Sequence, residues 1–194
     1  MMRPVLQHPR RLGAGFLRDR SGVAAVEFAL ISPTVILILV GLIDLGGLLY
    51  TRFQLNASLS AAANYAMVNQ ASVSSANGAS LASTLAGLIS SGQSSNWANS
   101  SVTVNDGPTA GSSGGTVSTG GTASSADLCY CPTGTSSSVT WNGAQTCGTT
   151  CTGGGYAGKF VLLSASRAYS PIFTGYGMLS QSGTMTVSSL VQVQ

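Results

Sequence analysis

Cys129, Cys131, Cys147 and Cys151 are the residues whose type and spacing point most directly to covalent chemistry. An even number of thiols so close together forms either two disulfides or a four-thiolate zinc site. The C-x-C and C-x3-C spacings differ from the usual paired C-x2-C of zinc sites, which favours disulfides. A bridge from Cys129 to Cys131 would close a very small, strained ring. Each is therefore expected to pair with Cys147 or Cys151, and two connectivities satisfy that condition. Acid–base chemistry has little to work with. The single histidine, His8, lies among the first 22 residues, so no Ser-His-Asp or Cys-His arrangement is available in the region that follows. Beyond residue 44 the carboxylates are Asp106 and Asp127, both in Gly/Ser-rich surroundings that offer no rigid frame. No enzyme activity, cofactor or metal is expected. One further ionisable residue is set apart by context: Glu27 is the sole charged group inside a 21-residue apolar run.

That run, Val23–Ile43, reads VAAVEFALISPTVILILVGLI and is closed by Asp44. As a helix at 1.5 Å per residue it spans roughly 30 Å, the thickness of a bilayer's hydrocarbon core. The charges before it have a direction. Arg3, Arg10, Arg11, Arg18 and Arg20 precede residue 22 against one acid, Asp19, whereas three cations and four acids follow. Basic residues ahead of an apolar span place the N-terminus in the cytosol and the chain beyond Asp44 outside the inner membrane, a single-pass topology in contact with the lipid bilayer. A secretory signal peptide shares this plan, but its apolar region is shorter and a small-x-small site follows promptly. Here the first alanine cluster, Ala61-Ala62-Ala63, lies far downstream. Pro33 either kinks the helix or starts a second one capped by Ser32. Asp44 reads as a solvated acid at the membrane edge. Only 7% of residues are charged, against roughly 25% in soluble domains. The three cations beyond residue 44 (Arg52, Lys159 and Arg167) nearly balance Asp106 and Asp127, which argues against nucleic-acid binding.

The junction before the run is Arg20-Ser21-Gly22-Val23-Ala24-Ala25-Val26-Glu27-Phe28. It fits the prepilin pattern of a basic leader, a glycine, four residues, a glutamate and an aromatic. The longer stretch SGVAAVEFALISPTVILILVGLIDLGGLLYTRFQLNASLSAAANYA, residues 21–66, resembles the TadE-like pseudopilins of bacterial tight-adherence pilus systems. The resemblance implies cleavage between Gly22 and Val23 by an aspartic prepilin peptidase. It also implies that Glu27, the fifth residue of the product, neutralises the new Val23 amine of a neighbouring pilin subunit, with Phe28 beside it in assembly. An ionisable group within a membrane span is a functional hypothesis by default. Glycine suits such a cleavage site because it lacks a side chain and extends freely.

The rest of the chain must carry an exported domain. Leu48, Leu55, Leu59, Ala62 and Ala66 form an apolar stripe that extends the helix as a stalk, with Asn56, Ser60 and Asn64 opposite. The organisation expected is a leader at 1–22, a membrane helix at 23–47, its amphipathic extension at 48–68 and a small domain at 69–194. The fold class is α+β and pilin-like, with a disulfide-stapled antiparallel β domain. Within that domain the spacing predicts a helix at Ser80–Ile89, a strand at Ser101–Asn105 and final strands at Lys159–Tyr169 and Thr184–Val193 around a turn-rich Ser170–Gly183. Low-complexity residues 107–125 read as an exposed flexible loop. Asn142-Gly143 predicts a hairpin between Val139–Trp141 and Ala144–Thr146, and Gly153-Gly154-Gly155 a hinge. Trp97 and Trp141 read as exposed aromatics. Three functions follow. One is a processed minor pilin working with other pilins and the inner-membrane assembly machinery, which would place it in a surface pilus. The others are an uncleaved single-pass assembly factor and an adhesive module with a plain anchor.

Overall fold

A computed structural model describes residues 22–171 and 183–194. The expected leader up to Ser21 and most of the turn-rich segment lie outside the described residues. The chain divides into two units, one ending at Ile43 and the other beginning at Asp44. Helix α1, Val23–Val68, runs across that division for 46 residues. It continues through Pro33, so Ser32 does not cap a second helix.

In the first unit the helix is bare. Phe28 is 73% and Leu30 75% exposed, and none of its most apolar window is buried. A helix that is apolar on every side, with none of the described residues packed around it, meets the length and composition requirements for crossing a membrane.

The second unit is an α+β domain built on a five-stranded antiparallel sheet. Its strands are β1 (Asn99–Val104), β2 (Thr109–Ser113), β3 (Thr116–Gly120), β6 (Phe160–Tyr169) and β7 (Gly183–Gln192), in the order β3-β2-β1-β6-β7. Between them, β4 (Thr133–Thr135) and β5 (Ser138–Thr140) make a separate small hairpin. One sheet face is apolar by period-two alternation: Val102 and Val104, then Val161, Leu163 and Ala165, are buried. Against it pack helix α2 (Gly78–Ser90) through Leu81, Leu85 and Ile89, and α1 through Leu55, Leu59, Ala62 and Ala66. The stripe expected from sequence is therefore the core face of α1 from Leu55 to Ala66, while Leu48 is half-buried outside the core and Asn56, Ser60 and Asn64 are exposed. Leu88, expected with the others on α2, is 42% exposed.

Two sequence expectations are corrected. Residues 107–125 are not a flexible loop but the β2–β3 hairpin and a single 3-10 turn, Ala123–Asp127. Ser113 pairs with Thr116 around Gly114-Gly115, both with positive φ, as a two-residue type I′ hairpin loop requires. At the hairpin's base Gly121 passes so close to the Gly107 carbonyl that a Cβ there would overlap it. These glycines fix a path rather than loosen one. The second correction concerns Asn142-Gly143. Asn142 has the left-handed φ of 60°, yet the hairpin forms upstream, where Thr135 pairs with Ser138. The Asn142 amide instead donates to the Cys131 carbonyl (2.8 Å) and to Thr133 Oγ1 (3.2 Å), which binds it to the β4 side. Gly153-Gly154-Gly155 forms a tight turn in which Gly154 N–H donates to the Cys151 carbonyl.

Candidate processing and assembly site

The start of α1 holds the residues singled out for processing and assembly. The Gly22 carbonyl accepts the first helical hydrogen bond, from Val26 N–H at 3.2 Å. Val23 is the first helical residue and Glu27 lies four positions on, so the two share one helix face. Val23, Glu27 and Phe28 are all exposed. A Cβ built on Gly22 meets nothing within 4 Å, and the same holds at Gly41 and Gly46. No packing among the described residues calls for glycine at those positions.

The cysteines lie in the second unit, and the structure selects one of the two connectivities: Cys129–Cys147 and Cys131–Cys151. No free cysteine remains, so there is no thiolate set for zinc. Among the described residues no group of three or more His, Cys, Asp or Glu side chains is close enough to hold a metal. The bridges tie residues 129–151 across the β4–β5 hairpin, and Trp141 stands edge-on to Tyr130 with ring centroids 6.0 Å apart. Beside them, Cys151, Tyr156, Phe160 and Leu190 help line an open cleft of about 400 Å³.

Several polar residues with structural work were not foreseen. Asn105 is completely buried with φ of 55°. Its amide donates to the carbonyls of Ser125, Ala126 and Leu128, and its Oδ1 accepts from Phe160 N–H. It thus pins the segment leading into the disulfide region to the start of β6. The Asn-Asp-Gly sequence at 105–107 was its one visible signal, a turn signature without an indicated partner. Asp127 accepts from Ser75 N–H at 2.9 Å, while Lys159 Nζ donates to the Val73 carbonyl at 2.9 Å. The Ser75 hydrogen bonds, with the Lys159 charge as a lesser cause, hold the Asp127 carboxyl below the usual carboxylate range. Burial pushes the Asp106 carboxyl the other way.

Asp44 is not the solvated acid expected of a membrane edge; it is only 4% exposed. Tyr169, at the end of β6, covers it, donating its hydroxyl to the Asp44 carbonyl at 2.6 Å. Burial, with the Asp44 charge as a lesser cause, raises the Tyr169 phenol. Trp97 and Trp141 are half-buried rather than free: Trp97 packs on the core and carries the Arg167 guanidinium over its ring at 4.7 Å.

Residues 22–64 match the family model for TadE-like proteins. The chain therefore carries a TadE-like segment. The matched stretch begins at Gly22 and ends inside α1, so the TadE-like segment is the helix, and the sheet domain lies outside the match. No curated protein and no solved structure gives a significant match to the chain.

Proposed function

We propose that this TadE-like chain is a minor pilin or pseudopilin in the biogenesis of a tight-adherence pilus, cleaved by a prepilin peptidase between Gly22 and Val23. One observation carries the reading. The apolar, unburied part of α1 begins at Val23, directly after a glycine that nothing among the described residues requires. A bare apolar helix needs lipid or other apolar helices around it. A glycine with open space around it is suited to recognition by another molecule. In this reading the N-terminus is cytoplasmic, the helix crosses the inner membrane once, and the sheet domain is periplasmic or enters a surface pilus.

The roles of the first residues follow. Hydrolysis of the Gly22–Val23 bond leaves an α-ammonium on Val23, at the positive end of the helix dipole. That charge needs a counter-ion in an apolar setting, and Glu27 is the sole carboxylate within the run. Glu27 of a neighbouring pilin or pseudopilin subunit supplies it, with Phe28 packed alongside. The other partners are the prepilin peptidase and the inner-membrane assembly machinery.

N-terminal sequencing of the membrane-extracted protein tests this. A start at Val23 that disappears in Gly22→Ala, while the variant chain accumulates at normal levels, is the expected result. An unprocessed N-terminus in cells with an active prepilin peptidase overturns it and leaves an uncleaved assembly factor. Glu27→Ala is expected to be processed yet excluded from sheared surface fibres; normal recovery in those fibres rules out the amine pairing.

A further inference from the structure

The chain contains two Asn-Gly pairs, Asn77-Gly78 and Asn142-Gly143, and one Asp-Gly pair, Asp106-Gly107. Such a pair can cyclise when the glycine backbone nitrogen reaches the side-chain carbonyl carbon of the residue before it. Glycine has no side chain to obstruct that approach, and its backbone rotates freely. The fold closes this route at two of the three pairs. Gly78 N–H donates to the Ser74 carbonyl at 2.7 Å and Gly107 N–H to the Val104 carbonyl at 2.9 Å, and both glycines are buried. Gly143 differs on each count. It is exposed, a Cβ there would meet nothing within 4 Å, and its N–H makes no hydrogen bond among the described residues. Asn142 is exposed as well, in a left-handed conformation that asparagine tolerates.

Two hydrogen bonds restrain Asn142. Its amide donates to the Cys131 carbonyl at 2.8 Å and to Thr133 Oγ1 at 3.2 Å, and Cys131 is fixed by its bridge to Cys151. Both bonds are made by Nδ2, the nitrogen that leaves on cyclisation. We propose that Asn142 is a deamidation site held in check by the Cys131–Cys151 bridge. Hydroxide takes the Gly143 N–H proton, and the nitrogen bonds to Asn142 Cγ. The Cγ–Nδ2 bond then breaks, and Nδ2 leaves as ammonia after taking a proton from water. A further water opens the five-membered imide at either carbonyl, giving an aspartyl or isoaspartyl residue at position 142. The product cannot restore the bond to Cys131, because a carboxylate only accepts hydrogen bonds and a carbonyl donates none. It also places a negative charge within residues 128–158, which hold no charged side chain. The bridge thus sets the lifetime of the asparagine.

The test uses full-length, detergent-solubilised protein incubated at mildly alkaline pH in heavy-oxygen water. Peptide mapping by mass spectrometry locates the label, and an isoaspartyl methyltransferase identifies the product. Heavy oxygen is expected at position 142, as a mixture of aspartyl and isoaspartyl forms, and not at Asn77. Cys131→Ser with Cys151→Ser is expected to speed the reaction several-fold. Thr133→Val removes one hydrogen bond and leaves both bridges intact. It is expected to speed the reaction about five-fold, the rate equivalent of one net hydrogen bond. Gly143→Ala is expected to slow it in each background. Hydrogen exchange in β1 and β6 checks that the sheet stays folded, and native protein treated with dithiothreitol replaces the cysteine variant if it does not. Label at Asn77 as fast as at Asn142, or none at Asn142 once the bridge is removed, overturns the site. Equal rates with the bridge present and absent overturn its control by the bridge. Aspartyl product without isoaspartyl overturns the cyclic route.

Discussion

The sheet packed under its helices and the disulfide region are held together by different means. In the first, leucines, valines and an isoleucine from α1, α2, β1 and β6 share one continuous core. In the second, residues 129–158 include few buried side chains, chiefly Cys129, Tyr130 and Ala157, and their strands are three residues long. Strands that short, rich in Gly, Ser and Thr, cannot offset their ordering entropy by apolar burial. Two covalent bridges replace the missing core. The difference shows where each region is vulnerable: the sheet to lost volume, the disulfide region to lost cross-links.

The strongest way to break the comparison is a cavity in the sheet. Leu163→Ala empties a fully buried site and is expected to cost about 2–5 kcal/mol. Urea unfolding of the detergent-solubilised full chain measures it, and the loss should persist with both disulfides intact. Removing one bridge, Cys131→Ser with Cys151→Ser, is expected to cost about 2–4 kcal/mol, concentrated in the disulfide region. Limited proteolysis should then cut within residues 132–156 while hydrogen exchange in β1 and β6 stays slow; equal loosening of both regions would erase the distinction. Asn105→Ala removes the polar clasp joining the two regions and strands several buried carbonyls, at a cost of about 1–3 kcal/mol. Its mark should be faster exchange around residues 125–128 as well as a lower midpoint.

The smallest effect is that of pH, and its two components oppose each other. Asp127 has a folded pKa below its unfolded one, so its stabilising contribution is complete above the unfolded value and fades as pH falls through the depressed one. Asp106 is raised by burial, so protonation favours the fold as pH drops into that range. Asp127→Asn should therefore flatten the loss of stability in acid, and Asp106→Asn should steepen it. Thermal melts between pH 3 and pH 6, across the ordinary carboxylate range, give the comparison.

Sequence alone made the helix legible, because apolar composition over 21 residues and the three- and four-residue spacings of Leu55, Leu59, Ala62 and Ala66 are local properties. Helix α2 and the two long strands were readable for the same reason. The β2–β3 hairpin was missed although its signal, Gly-Gly between short alternating segments, was present. Glycine content by composition reads as looseness, whereas Gly107 and Gly121 mark a close crossing of backbones. Asn142-Gly143 is the reverse case, a favourable turn pair that lost to hydrogen bonds on the β4 side.

By itself, the sequence determined an apolar span beginning after Gly22, a carboxylate at Glu27 within it, a charge-poor remainder and a choice of two disulfide pairings. Each depends on residue type and near spacing. Tertiary structure alone decided which cysteines are joined, that Asp44 is covered by Tyr169, that Asn105 ties three carbonyls, and that Trp97 meets Arg167. Those partners are separated by 18 to 125 residues along the chain. No local pattern links residues so far apart; the register of the sheet and the helices packed on it bring them together.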